Sequence, residues 1–571
     1  MDLLSFRNLF ISDAFGAYTY NSVLDFVLDK PAASYSYRYS ATADPLQEAN
    51  WKARQYGFYA QDEWTVIPTL KLTGGLRVDL PTYPSHPSHN PGIYATFGYR
   101  TEQPPKTTAA LSPRLGFNWA VDEERNTQVR GGVGIFYGRF PYVWVSNQYS
   151  NTGVDFITVT KVPTRFIPDP YGQGGVGAIT TAEVNLTDPK FKAPSILRWN
   201  VAVDYKLPFD LVATVEGIFS TTRNDVYYKN INLAGVQANG GLTPGGKLVG
   251  EGREVWGVWN PGRRGFAYTD VSGRLATGYL PVNAAFAPGV FLVTNTSKGS
   301  NSNASIQIQR NVPNSVNGFV AYTWGMSKDI NSGNSTTASS GWRFNPTPGN
   351  PNDPQLTYSQ WDRRHKLVAS VSYRFDWGSH GLATTVGLFY AGLSGRPFSY
   401  MVDGDVNGDG RTDNDLAYIP KDANDIVLVN SSGTVLAKTD VAYSELMSFI
   451  DRDSYLKENK GKVSERSGPR EPWSHEIDMR LSQEIPVIAG HTFEITLDML
   501  NVLNFISSSW GRVKTTGTNQ TVNLMRFHSI ETTAGANYGK PRYIWGGNFN
   551  QFLPDNILSR WQAQLGVRYS F

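Results

Sequence analysis

The segment 405–415, DVNGDGRTDND, has the residue types and spacing of a calcium-binding loop. Oxygen-bearing side chains fall at loop positions 1, 3, 5 and 9, and Gly410 at position 6 permits a sharp turn. Hard oxygen ligands at this spacing suit a hard cation. The candidate ligands are Asp405, Asn407, Asp409, Arg411 through its backbone carbonyl, Asp413 and Asp415.

This loop departs from an EF-hand in two ways. Leu416 stands at position 12, where a bidentate glutamate is expected, and Asp415 is displaced from that position by one residue. No helical pattern flanks the loop. The sequence therefore predicts a calcium site of moderate or weak affinity, and the alternative is a solvated Asn/Asp/Gly turn.

Two other groups of side chains invite a chemical interpretation. His86 and His89 resemble a metal-binding pair, but a proline lies between them and no carboxylate is near in sequence, which favours a plain loop. The run Asp362-Arg-Arg-His365 opens a predicted strand, where we expect ion pairs rather than catalysis. No phosphate-binding loop, GxSxG motif or HExxH motif is present, so we expect no enzymatic activity.

Composition limits the class of protein. The chain has 571 residues, of which 18% are charged and 13% aromatic, with a net charge of +3 and no cysteine. The small net charge argues against nucleic-acid binding, and the lack of cysteine excludes disulfides and thiolate chemistry. No stretch approaches the roughly 18 uninterrupted apolar residues that a membrane-spanning helix needs. Low charge with abundant tyrosine, tryptophan and glycine is typical of a membrane β-barrel.

Apolar and polar residues alternate along most of the chain after residue 52. In the carboxyl-terminal segment RWQAQLGVRYSF, one face of the strand is apolar and the other is polar. Strands of about ten to fourteen residues are long for a soluble sheet but suit a tilted crossing of a bilayer. The predicted strands are 53–66, 69–80, 111–121, 127–138, 195–207, 210–222, 301–311, 316–327, 363–376, 381–393, 472–485, 491–505 and 558–571.

The connections between these strands alternate between short and long. The long stretches, predicted to be structureless and rich in Gly, Asn, Pro, Ser and Thr, are 81–110, 139–194, 223–300, 328–362, 394–471 and 506–557. Short periplasmic turns and longer extracellular loops give this pattern in outer-membrane barrels. The sequence therefore predicts an all-β fold, an antiparallel transmembrane β-barrel with long extracellular loops. An odd count of strands after residue 52 places the carboxyl terminus in the periplasm and requires at least one strand upstream.

Several segments, in chain order, are similar to segments of a known family. They are AYTYNSVLDFVLDKPA (17–32), GFYAQDEWTVIPTLKLTGGLRVDL (57–80), LSPRLGFNWAV (111–121), VRGGVGIFYGRF (129–140), WDRRHKLVASVSYRF (361–375), GRPFSYMVDGDVNGDGRTDNDLAYIP (395–420) and DMLNVLNF (498–505). Together they resemble TonB-dependent outer-membrane receptors of the Oar-like branch. Such receptors have a barrel of about 22 strands around a plug.

The resemblance implies that this chain is the carboxyl-terminal part of such a barrel, with about 13–14 strands present. Residues 1–52 are then an extracellular loop region and the end of a preceding strand, and residues 53–571 are barrel. The signal peptide, regulatory-like domain, TonB box and plug are not recognisable in the sequence. An aromatic carboxyl terminus, here Tyr569 and Phe571, is implied to be the signal read by the barrel-assembly machinery in the bacterial outer membrane.

Three functions remain open. The first is a receptor-transporter, whose partners would be outer-membrane lipid, an unknown extracellular ligand and the TonB complex acting through the missing amino-terminal region. The second is a passive porin, and the third is a surface adhesin. The sequence does not identify the ligand, although loop residues such as Trp256, Trp259 and Trp342 are of the type that binds carbohydrate or peptide.

Overall fold

The computed structural model describes residues 1–571 except 9–10, 12, 43–47, 139–141, 170, 175–182, 237–245, 314, 379–380 and 489. Parts of the predicted loops 139–194 and 223–300, and the end of the segment 129–140, therefore lie outside the described residues. Two regions make up the rest. One is a wall of long antiparallel strands, and the other is a set of folded connections at one rim of the wall, which we call the cap.

Within the described residues, fourteen strands form the wall. They are β1 (Asp2–Asn8), β2 (Ala49–Ile67), β3 (Leu70–Thr82), β4 (Ala110–Ala120), β5 (Thr127–Tyr137), β6 (Ser195–Leu207), β7 (Leu211–Asn230), β8 (Gly299–Arg310), β9 (Asn317–Asp329), β10 (His365–Asp376), β11 (Ala383–Leu393), β12 (Ser474–Pro486), β13 (Thr492–Leu500) and β14 (Gln562–Ser570). Each pairs antiparallel with the next along the chain. The antiparallel barrel predicted from the sequence is confirmed, and β1 pairs through Asp2–Asn8 with Ala49–Gln55.

The apolar face of the wall is exposed. Leu481, Leu497 and Leu565 form one row across β12, β13 and β14. Leu565 and Val567 are 73% and 69% exposed, so no second sheet covers them. A face of this kind has to be covered by lipid, because in water it would be a large unpartnered apolar surface.

The opposite face of the wall carries charges that pair across strands. Arg480 lies opposite Asp498, with 3.5 Å between guanidinium and carboxylate. Arg130 reaches Asp204 at 3.0 Å and Glu216 at 3.5 Å. Because side chains alternate along each strand, a polar lumen face follows directly from the lipid face.

Short turns and long connections alternate as predicted. Some strand ends differ from the prediction: β2 begins at Ala49 instead of residue 53, and β7 continues to Asn230 instead of ending at residue 222. In the opposite sense, β13 stops at Leu500 instead of continuing to residue 505. Asn501 adopts a left-handed conformation (φ 52°), and its side chain accepts a hydrogen bond from the Asn504 N–H at the start of the helix Val502–Ile506. Asparagine tolerates this conformation better than most residues, and it turns the chain out of the sheet.

The cap contains the remaining strands and helices. Its α-helices are Val23–Val27, Pro91–Phe97, Val143–Ser150, Ala338–Arg343, Val441–Arg452, Ser454–Glu458 and Val502–Ile506, and a 3-10 helix spans Ala284–Phe286. Its strands are Ala17–Thr19, Ser34–Ser40, Phe156–Val159, Val184–Thr187, Val258–Asn260, Gly265–Thr269, Leu275–Thr277, Val290–Thr296, Thr357–Tyr358, Ser399–Asp403, Tyr418–Ile419, Val427–Leu428, Lys462–Val463, Lys514–Thr515, Thr521–Ile530, Pro541–Ile544 and Leu553–Pro554. Among the described residues, no helix is both long and apolar enough to cross a bilayer.

The prediction that the long connections are structureless was wrong. The largest hydrophobic core lies in the cap and joins residues from 248 to 545. The helix Val441–Arg452 shows how the core forms: Asp440 caps its first turn, and Tyr443, Leu446 and Ile450 bury the face they share. These connections carry enough apolar residues to bury a core, but they bury them against segments distant in the chain.

Candidate functional site

The segment 405–415, which we call the acidic loop, lies in the cap between the strands Ser399–Asp403 and Tyr418–Ile419. The carboxylate of Asp405 accepts hydrogen bonds from the N–H groups of Gly408 (2.7 Å), Asp409 (3.2 Å) and Gly410 (3.0 Å). Gly408 and Gly410 have φ values of 73° and 84°, which favour glycine. Asn407 accepts a hydrogen bond from the Asp409 N–H at 3.0 Å. The loop therefore winds around its first three oxygen-bearing side chains.

The acidic groups in this loop are buried close together. Burial, together with the nearby Asp415 carboxylate, raises the pKa of Asp409 to about 7. Burial also raises the pKa of Asp415 to about 6, while the Arg253 guanidinium acts in the opposite direction. The pKa of Asp405 is raised well above its usual value by burial and by the charge of Asp409. Buried like charges of this kind favour either protonation or a bound cation.

Two predicted ligands are engaged elsewhere. Asp413 forms an ion pair with Arg343 at 2.6 Å. Asp415 accepts a hydrogen bond from the Val406 N–H at 2.7 Å and pairs with the fully buried Arg253 at 3.2 Å. The sequence prediction placed both carboxylates among the ligands, and it could not anticipate arginines contributed by remote segments. The guanidinium of Arg411 lies 6.0 Å from the centre of the Trp342 ring.

Asn414, within the acidic loop, is a further candidate cation ligand that the sequence prediction did not include. Its side-chain nitrogen donates a hydrogen bond to Asp409 at 2.6 Å, while its side-chain oxygen is buried with no partner among the described residues. A buried carbonyl oxygen without a donor is a position that a cation would satisfy. No group of three or more His, Asp or Glu side chains in the described part of the chain has the arrangement of a metal site. A cation here would therefore depend on Asn407 and Asn414 as well as on Asp405 and Asp409.

A cavity of about 690 Å³ adjoins the acidic loop. Its volume falls within the range of small-molecule binding sites, roughly 300–1,000 Å³. Thr412 and Asp413 of the acidic loop form part of its wall. The other lining residues include Phe344, Trp361, Arg466 and the strand residues Ser399, Met401 and Asp403.

The tryptophans considered from sequence are not available to a ligand. Trp256, Trp259 and Trp342 are at most 6% exposed and belong to the hydrophobic cores of the cap. The Trp342 indole donates to Asn352 at 2.9 Å, which is the contact of a core residue. Trp361, by contrast, is 63% exposed and lines the cavity. The position of Trp361 just before a wall strand was the one sequence feature that could have indicated its exposure. Local sequence does not reveal which loop tryptophans are buried.

The remaining candidates form local ion pairs. His89 contacts Glu102 at 2.8 Å, a carboxylate that sequence proximity did not reveal. Asp362 is buried and pairs with Arg470 and with Arg364, the latter at 3.6 Å. The expected ion pairs at the strand–loop boundary are present.

At the other rim, the Tyr569 hydroxyl lies 2.7 Å from the His491 imidazole, and Phe571 is 94% exposed.

The comparison with protein families agrees with this architecture. The family model for the outer membrane beta barrel domain matches residues 4–543. No curated protein matches the chain. Among solved structures, it is similar to the outer membrane transporter YddB from Escherichia coli (12% identity, 82% of this chain and 45% of that one, TM-score 0.41). It is also similar to the FrpB iron transporter from Neisseria meningitidis, F3-3 variant (11%, 91% and 45%, TM-score 0.36).

A third similar structure is a mutant of the ferric enterobactin receptor PfeA from Pseudomonas aeruginosa (8% identity, 91% of this chain and 46% of that one, TM-score 0.40). The chain thus spans less than half the length of each of these proteins.

Proposed function

Because the chain belongs to the outer membrane beta barrel domain family, we propose that it is the barrel of a TonB-dependent receptor-transporter of the Oar-like branch. In this proposal the cap selects an extracellular ligand, and a plug that residues 1–571 do not include gates its uptake. The role is transport and not catalysis. The TonB complex is the proposed energy-coupling partner, acting through the amino-terminal region that carries the plug.

One observation favours a receptor over a passive porin. The cap is folded around its own cores and holds a cavity of about 690 Å³ beside the acidic loop. A passive pore needs no such structure, whereas ligand selection does. An adhesin would also use a folded cap, so the two remaining functions differ in whether the ligand is taken up.

The proposal is tested on protein made from its own gene in its native host. We expect crosslinking in intact cells to recover TonB with the protein. We also expect that liposomes containing protein purified from the outer membrane do not swell in arabinose, because a plugged barrel is not a free pore. Swelling without TonB recovery would establish the porin alternative. The absence of both swelling and TonB recovery would establish the adhesin.

The proposed orientation places the cap outside the cell and the carboxyl terminus in the periplasm. The chain has no cysteine, so a single introduced cysteine gives a clean signal. We expect Ser432→Cys, in an exposed cap turn, to react with a membrane-impermeant maleimide on intact cells. Glu123→Cys, in the exposed turn between β4 and β5, should react only after the outer membrane is opened. The reverse labelling pattern would contradict this orientation.

We also propose that Tyr569 and Phe571 are recognised by the barrel-assembly machinery. Both belong to the apolar face, and Phe571 is free to be bound, since it is 94% exposed. Phe571→Ala should lower the amount of folded barrel in the outer membrane, measured as heat-modifiable mobility on gels. Ser570→Ala, the neighbour on the polar face, is the matched control and should have no effect. Equal amounts of folded barrel in both variants would exclude the signal.

Calcium binding by the acidic loop is a further proposal, supported by the buried carboxylates and by the unpartnered oxygen of Asn414. Calorimetric titration of the chelator-treated protein with calcium tests it. Asp409→Asn should weaken binding at least about tenfold, because it removes a charged ligand. Asp422→Asn, on an exposed turn of the cap, should leave binding unchanged. Absence of a calcium signal in the unmodified protein would refute the site.

A further inference from the structure

The cavity beside the acidic loop has a composition that indicates a class of ligand. It is lined by seven separate segments of the chain: 333–334, 344–346, 360–361, 399–403, 412–413, 466–467 and 518–523. Segments so far apart in the chain converge here because the cap cores hold them together. The ligand class follows from which lining groups are already engaged and which are free.

The charged groups of the lining are neutralised by partners. Asp403 pairs with Arg526 at 2.9 Å, and Asp413 pairs with Arg343 at 2.6 Å. Arg466 is nearly buried and pairs with Asp329 at 2.7 Å. Recognition of an anionic ligand requires cationic donors that are free to form charge-assisted hydrogen bonds. None of the described lining residues offers such a donor.

The free polar groups are neutral. Several side-chain amides and hydroxyls of the lining make no side-chain hydrogen bond within the described part of the chain, among them Asn334, Asn519, Asn523, Thr412, Thr518 and Thr521. An amide offers both donors and an acceptor, and a hydroxyl offers one donor and an acceptor. These groups therefore match a ligand whose own groups both donate and accept, as sugar hydroxyls do.

Two exposed aromatic rings complete the lining. Trp361 and Phe344 are 63% and 43% exposed. The Trp361 indole donates to the Ser332 carbonyl at 2.9 Å, which fixes the position of its ring. A fixed aromatic face gives apolar contact area at little cost in conformational entropy. The C–H face of a sugar ring is a suitable partner for such a surface.

We propose that this cavity binds a neutral, hydroxyl-rich ligand, namely a segment of an oligosaccharide. Hydroxyl groups of the sugar would be held by the free amides and threonines, and one ring would pack on Trp361. The inference deepens the proposed function by naming the class of ligand, and it rests on that function only for the step of uptake.

Binding is measured by calorimetry on the protein purified from its host in a sugar-free detergent. The probes are neutral hexasaccharides of glucose, xylose and N-acetylglucosamine, and an anionic ferric tris-catecholate serves as the opposite class. We expect at least one neutral hexasaccharide to bind and the ferric complex not to bind. Binding of the ferric complex alone, or of no hexasaccharide, would overturn the proposal.

Variants locate the binding to the cavity. Trp361→Ala and Asn523→Ala should each weaken hexasaccharide binding at least about tenfold, and Trp361→Phe should restore part of the lost affinity. Trp377→Ala, an exposed tryptophan just after β10 at the short-turn rim, is the matched control and should bind like the unmodified protein. Unchanged binding in both cavity variants would overturn the assignment of the cavity.

The outcomes separate this inference from the proposed function. Hexasaccharide binding at the cavity without TonB recovery would keep the ligand class and refute the transporter. TonB recovery without hexasaccharide binding would keep the transporter and refute the ligand class. Unfolding of the cap, followed by tryptophan fluorescence, must be the same in all the variants, so that loss of binding reports on the cavity.

Discussion

At the scale of single residues, Asp409 and Asp415 give the cap a defined response to pH. Their pKa values are raised to about 7 and about 6 by burial. A carboxyl group with a raised pKa in the folded state favours folding while it is protonated, and this contribution is lost as pH rises through the folded pKa. Without calcium, we expect the thermal midpoint of the cap to fall as pH is raised from about 4 to about 7.

Calcium should reverse this trend, because it binds the ionised carboxylates. With saturating calcium, the midpoint measured by tryptophan fluorescence should no longer fall over the same range of pH. Asp409→Asn should raise the midpoint at neutral pH without calcium, because it removes a buried charge. It should also shift the response to calcium to concentrations at least about tenfold higher. A thermal midpoint that changes with neither pH nor calcium would contradict the burial of these charges.

Arg253 is the second residue whose role can be measured. Its side chain is fully buried, donates to the Leu416 carbonyl at 2.6 Å, and pairs with Asp415 at 3.2 Å and with Glu251 at 3.1 Å. Arg253→Met would leave two buried carboxylates without their cation. Breaking a buried pair from one side destabilises a protein by about 3–5 kcal/mol. We expect a loss of that size in the free energy of unfolding of the cap, measured by denaturant titration.

The control for Arg253 is Arg274→Met, because Arg274 is exposed in the same cap and its side chain has no ion pair among the described residues. Its effect should stay within about 0.5 kcal/mol. If the two variants unfold alike, the buried network does not contribute to the stability of the cap.

At the scale of elements, Asn501 ends β13 and starts a helix. Its side chain donates to the carbonyls of Gly511 (2.9 Å) and Ser559 (3.1 Å) and caps the helix Val502–Ile506. Asn501→Gly keeps access to the left-handed conformation and loses only these bonds, at about 2 kcal/mol. Asn501→Ala loses the bonds and strains the backbone, so its cost should be about 1 kcal/mol larger. Denaturant titration of both variants measures the difference, and equal costs would refute the conformational role.

The wall strands were predictable because their signal is local. The strands β2 to β14 are 9 to 20 residues long, each contains a run of alternating apolar and polar residues, and each pairs with its neighbour in sequence. Tertiary contacts set only the ends, as at Asn501, where a capping side chain stops a run that continues to look strand-like.

The cap was not predictable because its signal is spread over the chain. Its strands run from two to ten residues, and some pair in parallel with distant segments, as Ser399–Asp403 does with Thr521–Arg526. Its buried network joins Glu251 to Tyr543, which are 292 residues apart. The acidic loop was visible in the sequence because its candidate ligands lie within one short segment. The cavity was not visible, because no short segment contains it.

At the scale of the whole molecule, the wall and the cap bury their apolar residues in different ways. The cap surrounds its apolar residues with protein, as a soluble domain does. The wall leaves one apolar face to lipid and holds its charges in cross-strand pairs on the other. The stability of the wall therefore depends on the bilayer, whereas the cap is stabilised by its own buried cores.

Two adjacent residues of β14 test this division. Leu565 lies on the lipid face near the middle of the strand, and Gln564 lies on the polar face beside Asp498. An arginine facing lipid near the bilayer midplane destabilises a barrel by about 2–4 kcal/mol, whereas the lumen tolerates it. Leu565→Arg should lower the free energy of unfolding in lipid vesicles by that amount, while Gln564→Arg, next to a carboxylate, should change it little. Equal effects of the two substitutions would mean that lipid does not cover the apolar face. The interpretation of the wall as a membrane-spanning barrel would then be wrong.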